Sequence, residues 1–391
     1  MDKTIQQLLD ILKNTYFFKE IKFSVSNPEK LYLMAKENGI SGTIYQTIKD
    51  KIKNEEILAK FKKDYYFYIA DDTKKTELAK KITDEFNRLE INHIYLKGMS
   101  IKHLYNHSYM RSKGDIDVLV KESDFEKASM AFKNLAMQLE GFGPVHDAYH
   151  YGDMEIELHR RVREEDKFLE FDLLDDMFQY EYMVDGHIIY VDPEIELIYL
   201  LYHIKKHFYS TGVGLRSIID IPIYLYQLNM EINKTRLKEL LIQTGILDFF
   251  ENLVLICDKC FNLDLSEKFN ITKELDEDLY NVFLEYVIRS GVHGLGIDFN
   301  AFTNRFASLK KKNTTRFKSL FRMVFPKYIT IKYKYPKLLK YKVFLPIGWL
   351  FRGFSVLFKQ PKRIKAYFKQ IKTVDKEEVL KVSDLFNKMG L

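Results

Sequence analysis

Two aspartates, Asp115 and Asp117, lie at the start of a run rich in β-branched residues that ends at Val120. Side chains alternate between the faces of a β-strand, so both carboxylates are expected on one face, about 7 Å apart. Like charges this close repel one another unless a cation lies between them. Mg²⁺ prefers carboxylate oxygens as ligands, so the pair predicts a divalent-metal site. The alternative is a pair of solvated acids on an edge strand.

A third carboxylate is expected nearby, because two-metal phosphoryl chemistry usually draws one from a neighbouring strand. Asp153, Glu155 and Glu157 share one face of a second predicted strand. Glu157 lies deepest in that strand, between Ile156 and Leu158, and is the residue that we expect at the site. Its expected roles are metal ligand and acceptor of a proton from the attacking hydroxyl. The alternative is that Glu155 and Glu157 form a solvated face of the sheet.

A lysine–glycine turn precedes the aspartates. Lys97 and Gly98 join a predicted strand to a short helix, and backbone N–H groups at such a turn can bind phosphate. Lys97, Ser100 in the same turn, and Arg111 before the acidic strand are further candidates for phosphate contacts. Their alternatives are an ordinary tight turn with a solvated lysine, and a surface salt bridge for Arg111. Together with the carboxylates, these residues predict a metal-dependent nucleotidyl-transfer site.

These motifs resemble the uncharacterised nucleotidyltransferase family of the polymerase-β-type superfamily. The resemblance rests on Leu96-Lys97-Gly98, Tyr105, Arg111, Gly114 to Val120 and Glu157-Leu158-His159, and extends to Ala35–Ile40, His203, His207, Leu215-Arg216 and Asp220. It implies a small mixed sheet with helices and two divalent ions, Mg²⁺ or alternatively Mn²⁺. It also implies transfer of a nucleoside monophosphate from an NTP, such as ATP, to an unidentified hydroxyl or phosphate acceptor, with release of pyrophosphate.

One residue departs from the superfamily pattern. The turn reads Gly98-Met99 where the superfamily has Gly-Ser or Gly-Gly, and Ser100 is the expected substitute for the missing serine. This departure, together with the basic C-terminal segment, motivates an alternative function: a catalytically weak regulator, resembling a toxin–antitoxin component, that binds nucleotide or nucleic acid in the same pocket.

Three histidines extend the candidate site. His159 follows Glu157 by two residues, and a contact with the metal or the nucleotide is one interpretation of it. His203 and His207 are spaced to share one helical face. That spacing suits zinc, but Ile204 replaces the glutamate of an H-E-x-x-H helix. Structural histidines are therefore favoured over histidines that line the active cleft.

The surrounding pattern predicts an α+β fold, in which a small mixed β-sheet is flanked by N-terminal and C-terminal helical regions. Four regions are expected: a helical region at 1–90, the catalytic core at 91–165, a helical domain at 166–295, and a basic, aromatic-rich region at 296–391.

Helix and turn signals predict the individual elements. A helix at about 76–89 precedes the first strand, and Ser123 with Glu126 forms a capping-box pattern for a helix that runs to about Leu139. Gly152 with Asp153 predicts a hairpin turn. Beyond the helix start predicted at Pro193, helices are expected at 194–209, 215–229, 235–260 and 274–290.

Composition limits the class of protein. The length of 391 residues indicates two or three domains, and the hydrophobic fraction of 46% indicates that they are well packed. Its N-terminus lacks a signal-peptide pattern, and no apolar run reaches the roughly 18 residues of a transmembrane segment. Cys257 and Cys260 are the two cysteines, and a single C-x-x-C in a helical pattern favours core residues over zinc ligands. A cytoplasmic protein is expected.

The C-terminal charge is uneven. Residues 305–372 contain 20 Lys and Arg and no Asp or Glu, while the whole chain carries only +6. Aromatic residues are interspersed, and Val343 to Phe358 is apolar except for Arg352. Three interpretations stay open: aromatic packing against the helical domain with solvated lysines, peripheral binding to an anionic membrane surface, and binding to nucleic acid.

Overall fold

The computed structural model describes residues 2–111, 114–164, 169–292, 299–311, 325–328, 331–332, 335, 338–359 and 370–391. The region boundary expected near residue 295 lies outside the described residues, as does much of the basic segment 305–372. The candidate site residues named above all lie within the described ranges.

A seven-stranded mixed sheet forms the centre of the molecule, in the order β3-β4-β5-β2-β1-β7-β6. Its strands are β1 (His93–Leu96), β2 (Ile116–Val120), β3 (Gln138–Gly141), β4 (His146–Tyr151), β5 (Met154–His159), β6 (Glu181–Asp185) and β7 (Ile188–Val191). The predicted hairpin is present as β4 and β5, which pair antiparallel around Gly152. The predicted α+β fold with a mixed sheet is confirmed.

Strand register aligns the candidate residues across three neighbouring strands. β2 is antiparallel to β1 and parallel to β5, which places Asp117 beside Leu96 on one side and Glu157 on the other. Adjacent strands lie about 4.8 Å apart, so Asp117 and Glu157 project from neighbouring positions on the same face. Lys97 follows Leu96 directly, so its side chain originates at the same edge of the sheet.

Helices flank the sheet on both sides. The N-terminal helices are α1 (Lys3–Phe17), α2 (Pro28–Glu37), α3 (Ser41–Ile48) and α4 (Glu55–Arg88), and the core contributes α5 (Gly98–Ile101) and α6 (Phe125–Asn134). The later helices are α7 (Pro193–Phe208), α8 (Leu215–Gln227), α9 (Lys234–Gln243), α10 (Leu247–Phe261), α11 (Leu265–Lys268), α12 (Glu277–Ser290), α13 (Ala301–Lys311), α14 (Leu345–Lys359) and α15 (Lys376–Met389). None of the helices in the described part of the chain is long and apolar enough to cross a membrane.

Two hydrophobic cores cover the two faces of the sheet. Val118 and Ile156 pack with Phe86 of α4 and Phe132 of α6 in the smaller core. Leu119, from the opposite face of β2, belongs to the larger core, which is built mainly from α1–α3 and the helices that follow β7. Because side chains alternate along a strand, Asp117 projects from the same face of β2 as Leu119, toward the larger core.

Several predicted boundaries were wrong. The helix expected at 76–89 is the end of α4, which has 34 residues and begins where Asn54 accepts a hydrogen bond from the Ile57 N–H. The capping box at Ser123 does not form, because a 3₁₀ turn over Glu122–Asp124 precedes α6 and Asp124 makes no side-chain cap. α6 ends at Asn134, and Ala136 adopts a positive φ before β3.

Two further corrections lie downstream. The single helix expected at 235–260 is two helices, α9 and α10, because Gly245 adopts φ +63° between them. β6 and β7 occupy a stretch where only helices were expected, and β7 pairs with β1 through His93 and Ile188. Cys257 and Cys260 are buried within α10, as expected for core residues.

His93 ties the sheet to α4 and predicts a pH-dependent stability. It is fully buried, its Nδ1 lies 3.1 Å from the Ile91 carbonyl oxygen, and burial lowers its pKa to about 4. The folded chain therefore binds fewer protons than the unfolded chain between about pH 4 and about pH 6.5. The contribution of His93 to the free energy of unfolding is complete above this window. It is lost as the pH falls through the window, which lowers the free energy of unfolding by up to about 3 kcal/mol.

Urea denaturation of wild type and His93→Gln at about pH 7 and about pH 4 measures this contribution. Glutamine stays neutral throughout, so the variant is expected to lose less of its free energy of unfolding on acidification. Equal losses in the two proteins contradict the assignment to His93.

Candidate functional site

Three carboxylates meet above β2. The ligand oxygens of Asp115, Asp117 and Glu157 all lie within 4.8 Å of one another. Asp117 is buried, with 1% of its side chain exposed, whereas Asp115 and Glu157 are 30% and 24% exposed. The cluster is therefore closed below and open to solvent on one side, as an ion-binding site requires.

The ammonium group of Lys97 lies among these carboxylates. Its Nζ is 2.6 Å from Asp117 Oδ1, 3.8 Å from Glu157 Oε2 and 4.0 Å from Asp115 Oδ2. Burial lowers the pKa of Lys97, but the carboxylates outweigh burial and hold that pKa well above its usual value. Lys97 has φ +53°, a backbone region that residues other than glycine rarely adopt and that recurs at functional sites. The space between the carboxylates thus already holds a positive charge.

His159 fixes the orientation of two of the carboxylates. Its Nε2–H donates to Asp117 Oδ1 at 2.9 Å and to Glu157 Oε2 at 3.1 Å. Its Nδ1 lies 3.3 Å from the Arg161 carbonyl oxygen, so both ring nitrogens face acceptors. Burial alone lowers the pKa of His159, but these hydrogen bonds raise it above its ordinary value and favour the cationic imidazole.

Glu157 has a second histidine neighbour, His146, whose Nε2 lies 3.2 Å from Glu157 Oε1. Burial lowers the pKa of His146 to about 4, so its ring is neutral near pH 7. Burial raises the pKa of Glu157, but the His159 hydrogen bond and the Lys97 charge outweigh it and lower that pKa to about 2. Glu157 is therefore charged across the physiological range. His146, Glu157 and His159 form a second group with the spacing of metal ligands.

The carboxylates form the floor of a cleft of about 220 Å³. Six Lys and Arg side chains and four carboxylates line it, so positive charge surrounds an acidic centre. Its walls come from α4, the turn after β1, the ends of β2 and β5, α7 and α8. The lining residues are Asp72, Lys75, Lys97, Gly98, Met99, Lys102, Arg111, Gly114, Asp115, Asp117, His146, Glu157, His159, Val162, Tyr199, Tyr202, His203, Lys206, His207, Arg216 and Ser217.

Arg111 lines the cleft but is engaged by another residue. Its Nε and Nη2 donate to the two carboxylate oxygens of Asp220 at 2.5 and 2.8 Å, and the Tyr105 hydroxyl donates to the same carboxylate at 2.5 Å. A Cβ added to Gly98 would lie 3.2 Å from Arg111 Nη1, so a glycine there lets the turn pack against the guanidinium. The phosphate contact predicted for Arg111 competes with this buried pair.

The other sequence candidates divide between the cleft and its surroundings. Ser100 is not among the lining residues, and its hydroxyl donates to the Lys97 carbonyl oxygen at 2.8 Å. Ser100 lies inside α5, which is only four residues long. His203 and His207 both line the cleft, with their Nε2 atoms 3.0 Å apart. The structure thus places this pair in the cleft, which was the less favoured interpretation.

Reasoning from the sequence assigned no role in the site to several lining residues. His146 pairs with His159 in the β4–β5 register. The predicted hairpin, extended to its open end, would therefore have indicated that His146 lies near the site. Arg216, from α8, is buried, and burial together with the charge of Arg111 lowers its pKa to about 10. Lys75 and Lys102 pair with Asp71 and Asp72 of α4. Arg216 was named only as part of the family resemblance, and no local pattern in the sequence indicates Lys75 or Lys102.

Comparisons with known proteins give one finding. A family model described as an uncharacterised nucleotidyltransferase matches residues 24–262, more than half of the chain. The matched range contains the whole sheet and every residue that lines the cleft. No curated protein and no solved structure matches the chain.

Proposed function

The chain belongs to the uncharacterised nucleotidyltransferase family, and from that membership we propose that it transfers a nucleoside monophosphate from an NTP to an acceptor hydroxyl or phosphate. The acceptor oxygen attacks the α-phosphorus, and an acceptor hydroxyl releases its proton to water. The bond from that phosphorus to the β-phosphate bridging oxygen breaks, and pyrophosphate leaves with the electron pair. The observation that carries the proposal is the group formed by Asp115, Asp117 and Glu157 inside a cleft rich in cations.

Asp115, Asp117 and Glu157 are the residues that would hold divalent cations, with Mg²⁺ as the expected ion and Mn²⁺ as a substitute. Their donor set fits, because all three offer hard carboxylate oxygens that lie within 4.8 Å of one another. A bound Mg²⁺ supplies charge stabilisation for the transferred phosphoryl group and lowers the pKa of the attacking hydroxyl.

The remaining residues of the cleft have two expected roles, to orient the carboxylates and to bind the triphosphate. His159 holds two carboxylates in position through its Nε2–H, as residues behind a metal ligand commonly do. Glu157, with a pKa of about 2, is a weak base at neutral pH, which favours the role of ligand over that of proton acceptor. Lys102, Lys206 and Arg216 line the cleft and are the cations that we expect to bind the triphosphate, since a positively charged cleft attracts that anion.

The direct test is incubation of the protein with Mg²⁺ and each of the four common NTPs, labelled on the α-phosphate, with and without cell extract as the source of acceptor. We expect pyrophosphate release with at least one NTP and label transferred to a component of the extract. Absence of release with every NTP in the presence of extract rejects the enzyme.

One observation favours a second candidate function, a regulator that binds nucleotide without turnover. Lys97 fills the space between the carboxylates, and a permanently bound ammonium would exclude divalent ions from it. For this candidate, equilibrium dialysis detects binding of a labelled NTP that is independent of Mg²⁺. For the transferase, binding strengthens with Mg²⁺, because the ion and the triphosphate enter together.

Replacement of Lys97 tests whether its ammonium and a divalent ion compete for the same carboxylates. In Lys97→Met the carboxylates lack their cation, so Mg²⁺ or Mn²⁺ is expected to bind at least about tenfold more tightly than in wild type. The rise of the melting temperature with added metal ion measures this affinity. Lys75→Met is the matched control, because Lys75 lines the same cleft but pairs with Asp71. Equal metal-induced shifts in all three proteins contradict the competition.

A further inference from the structure

We propose that α14 and the segment just before it bind the surface of an anionic membrane. Ile347, Leu350, Phe351 and Phe354 recur at helical spacing and are between 40% and 62% exposed. Residues with this spacing lie on one face of a helix. Val343, immediately before the helix, is 76% exposed. Contiguous exposed apolar side chains of this kind mark an interaction surface.

The opposite side of α14 is held by protein. The Trp349 indole N–H donates to the Pro326 carbonyl oxygen at 2.9 Å, and its ring packs edge-on against Phe325. A Cβ added to Gly348 would lie only 3.0 Å from Leu339, so this glycine lets the helix pack closely there. The helix is therefore attached through one side and presents its apolar side outward.

Charge indicates which partner fits this surface. Residues 305–372 contain 20 Lys and Arg and no acidic residue. Among the described residues, Lys340 and Lys342 are exposed and lie just before the helix. Anionic headgroups attract clustered Lys and Arg near a membrane, while the acyl region receives apolar side chains. At 15 residues α14 is shorter than the roughly 20 that a spanning helix needs, so it fits a position in the interface.

The chemistry of the exposed face favours lipid over nucleic acid. Single-stranded nucleic acids stack their bases on aromatic rings that line a charged groove. The face of α14 includes aliphatic Ile347 and Leu350 beside its phenylalanines. Aliphatic side chains offer no ring on which a base can stack, whereas they partition readily into hydrocarbon.

Flotation of the full chain with vesicles tests the proposal. The protein is expected to float with vesicles of phosphatidylglycerol and phosphatidylcholine in equal amounts, and to stay at the bottom with phosphatidylcholine alone. Leu350→Asp/Phe354→Asp is expected to lower the partition coefficient by at least about tenfold, because it removes two apolar side chains and adds two negative charges.

Leu380→Asp is the matched control, since Leu380 is 51% exposed on α15, outside the proposed surface. It is expected to float as wild type does, and equal melting temperatures of the three proteins exclude unfolding as the cause of a loss. Failure of the wild type to float overturns the proposal, as does equal flotation of the double variant. If the protein binds an oligonucleotide but neither kind of vesicle, the surface is assigned to nucleic acid instead. None of these outcomes depends on the nucleotidyl transfer proposed above.

Discussion

Asp115→Asn is expected to lower the rate of pyrophosphate release from the preferred NTP by about 100- to 1000-fold. The substitution removes one negative charge from the group that would hold the divalent ion, and an amide is a much weaker ligand for Mg²⁺ than a carboxylate. Asp115 is the suitable position because it is 30% exposed and lies in the loop before β2. Asp117 is buried in the strand itself, so its replacement would also disturb the fold.

Glu157→Gln is expected to have an effect of similar size, and the chain provides a matched control for it. Glu155 lies on the same strand, has the same side chain and is exposed. Glu155→Gln should therefore leave pyrophosphate release unchanged, within about twofold. Steady-state rates at saturating NTP and Mg²⁺ make the comparison. If Asp115→Asn and Glu157→Gln retain the wild-type rate, the three carboxylates do not form the site of transfer.

Arg111→Met is expected to lower the free energy of unfolding by about 3 kcal/mol. Arg111 and Asp220 are both nearly inaccessible, and removal of the guanidinium leaves the Asp220 carboxylate buried without its bidentate partner. A buried charge without its partner is strongly destabilising, whereas the intact pair contributes little net stability. Arg216 lies near Asp220 and offsets part of the loss, which sets the expected value at the lower end of the usual range.

Urea denaturation of Arg111→Met, Asp220→Leu and the double variant measures the coupling between the two residues. The double variant removes both charges, so its loss should be smaller than the sum of the two single losses. Lys60→Met, at a cation of the exposed pair with Glu56, should change the free energy of unfolding by less than about 1 kcal/mol. An Arg111→Met protein with unchanged stability and a raised KM for NTP indicates that Arg111 contacts phosphate instead.

Local patterns in the sequence were enough for the framework of the site. The two-residue spacing of Asp115 and Asp117 predicted a shared face, and the turn at Gly152 predicted the hairpin that carries Glu157. These features depend on strand periodicity and turn chemistry, which involve residues close together in the chain. The family resemblance and the α+β fold followed from the same motifs.

Contacts between distant segments were decided only by the tertiary structure. The pairing of Arg111 with Asp220, the approach of Arg216 and the entry of His203 into the cleft join residues about a hundred positions apart. The hairpin of β6 and β7 joins the sheet through the pairing of β7 with β1. The sequence determined which side chains can bind a cation or an anion. Packing decided which of them meet, because a charged group excluded from water must take a partner from whichever segment folds against it.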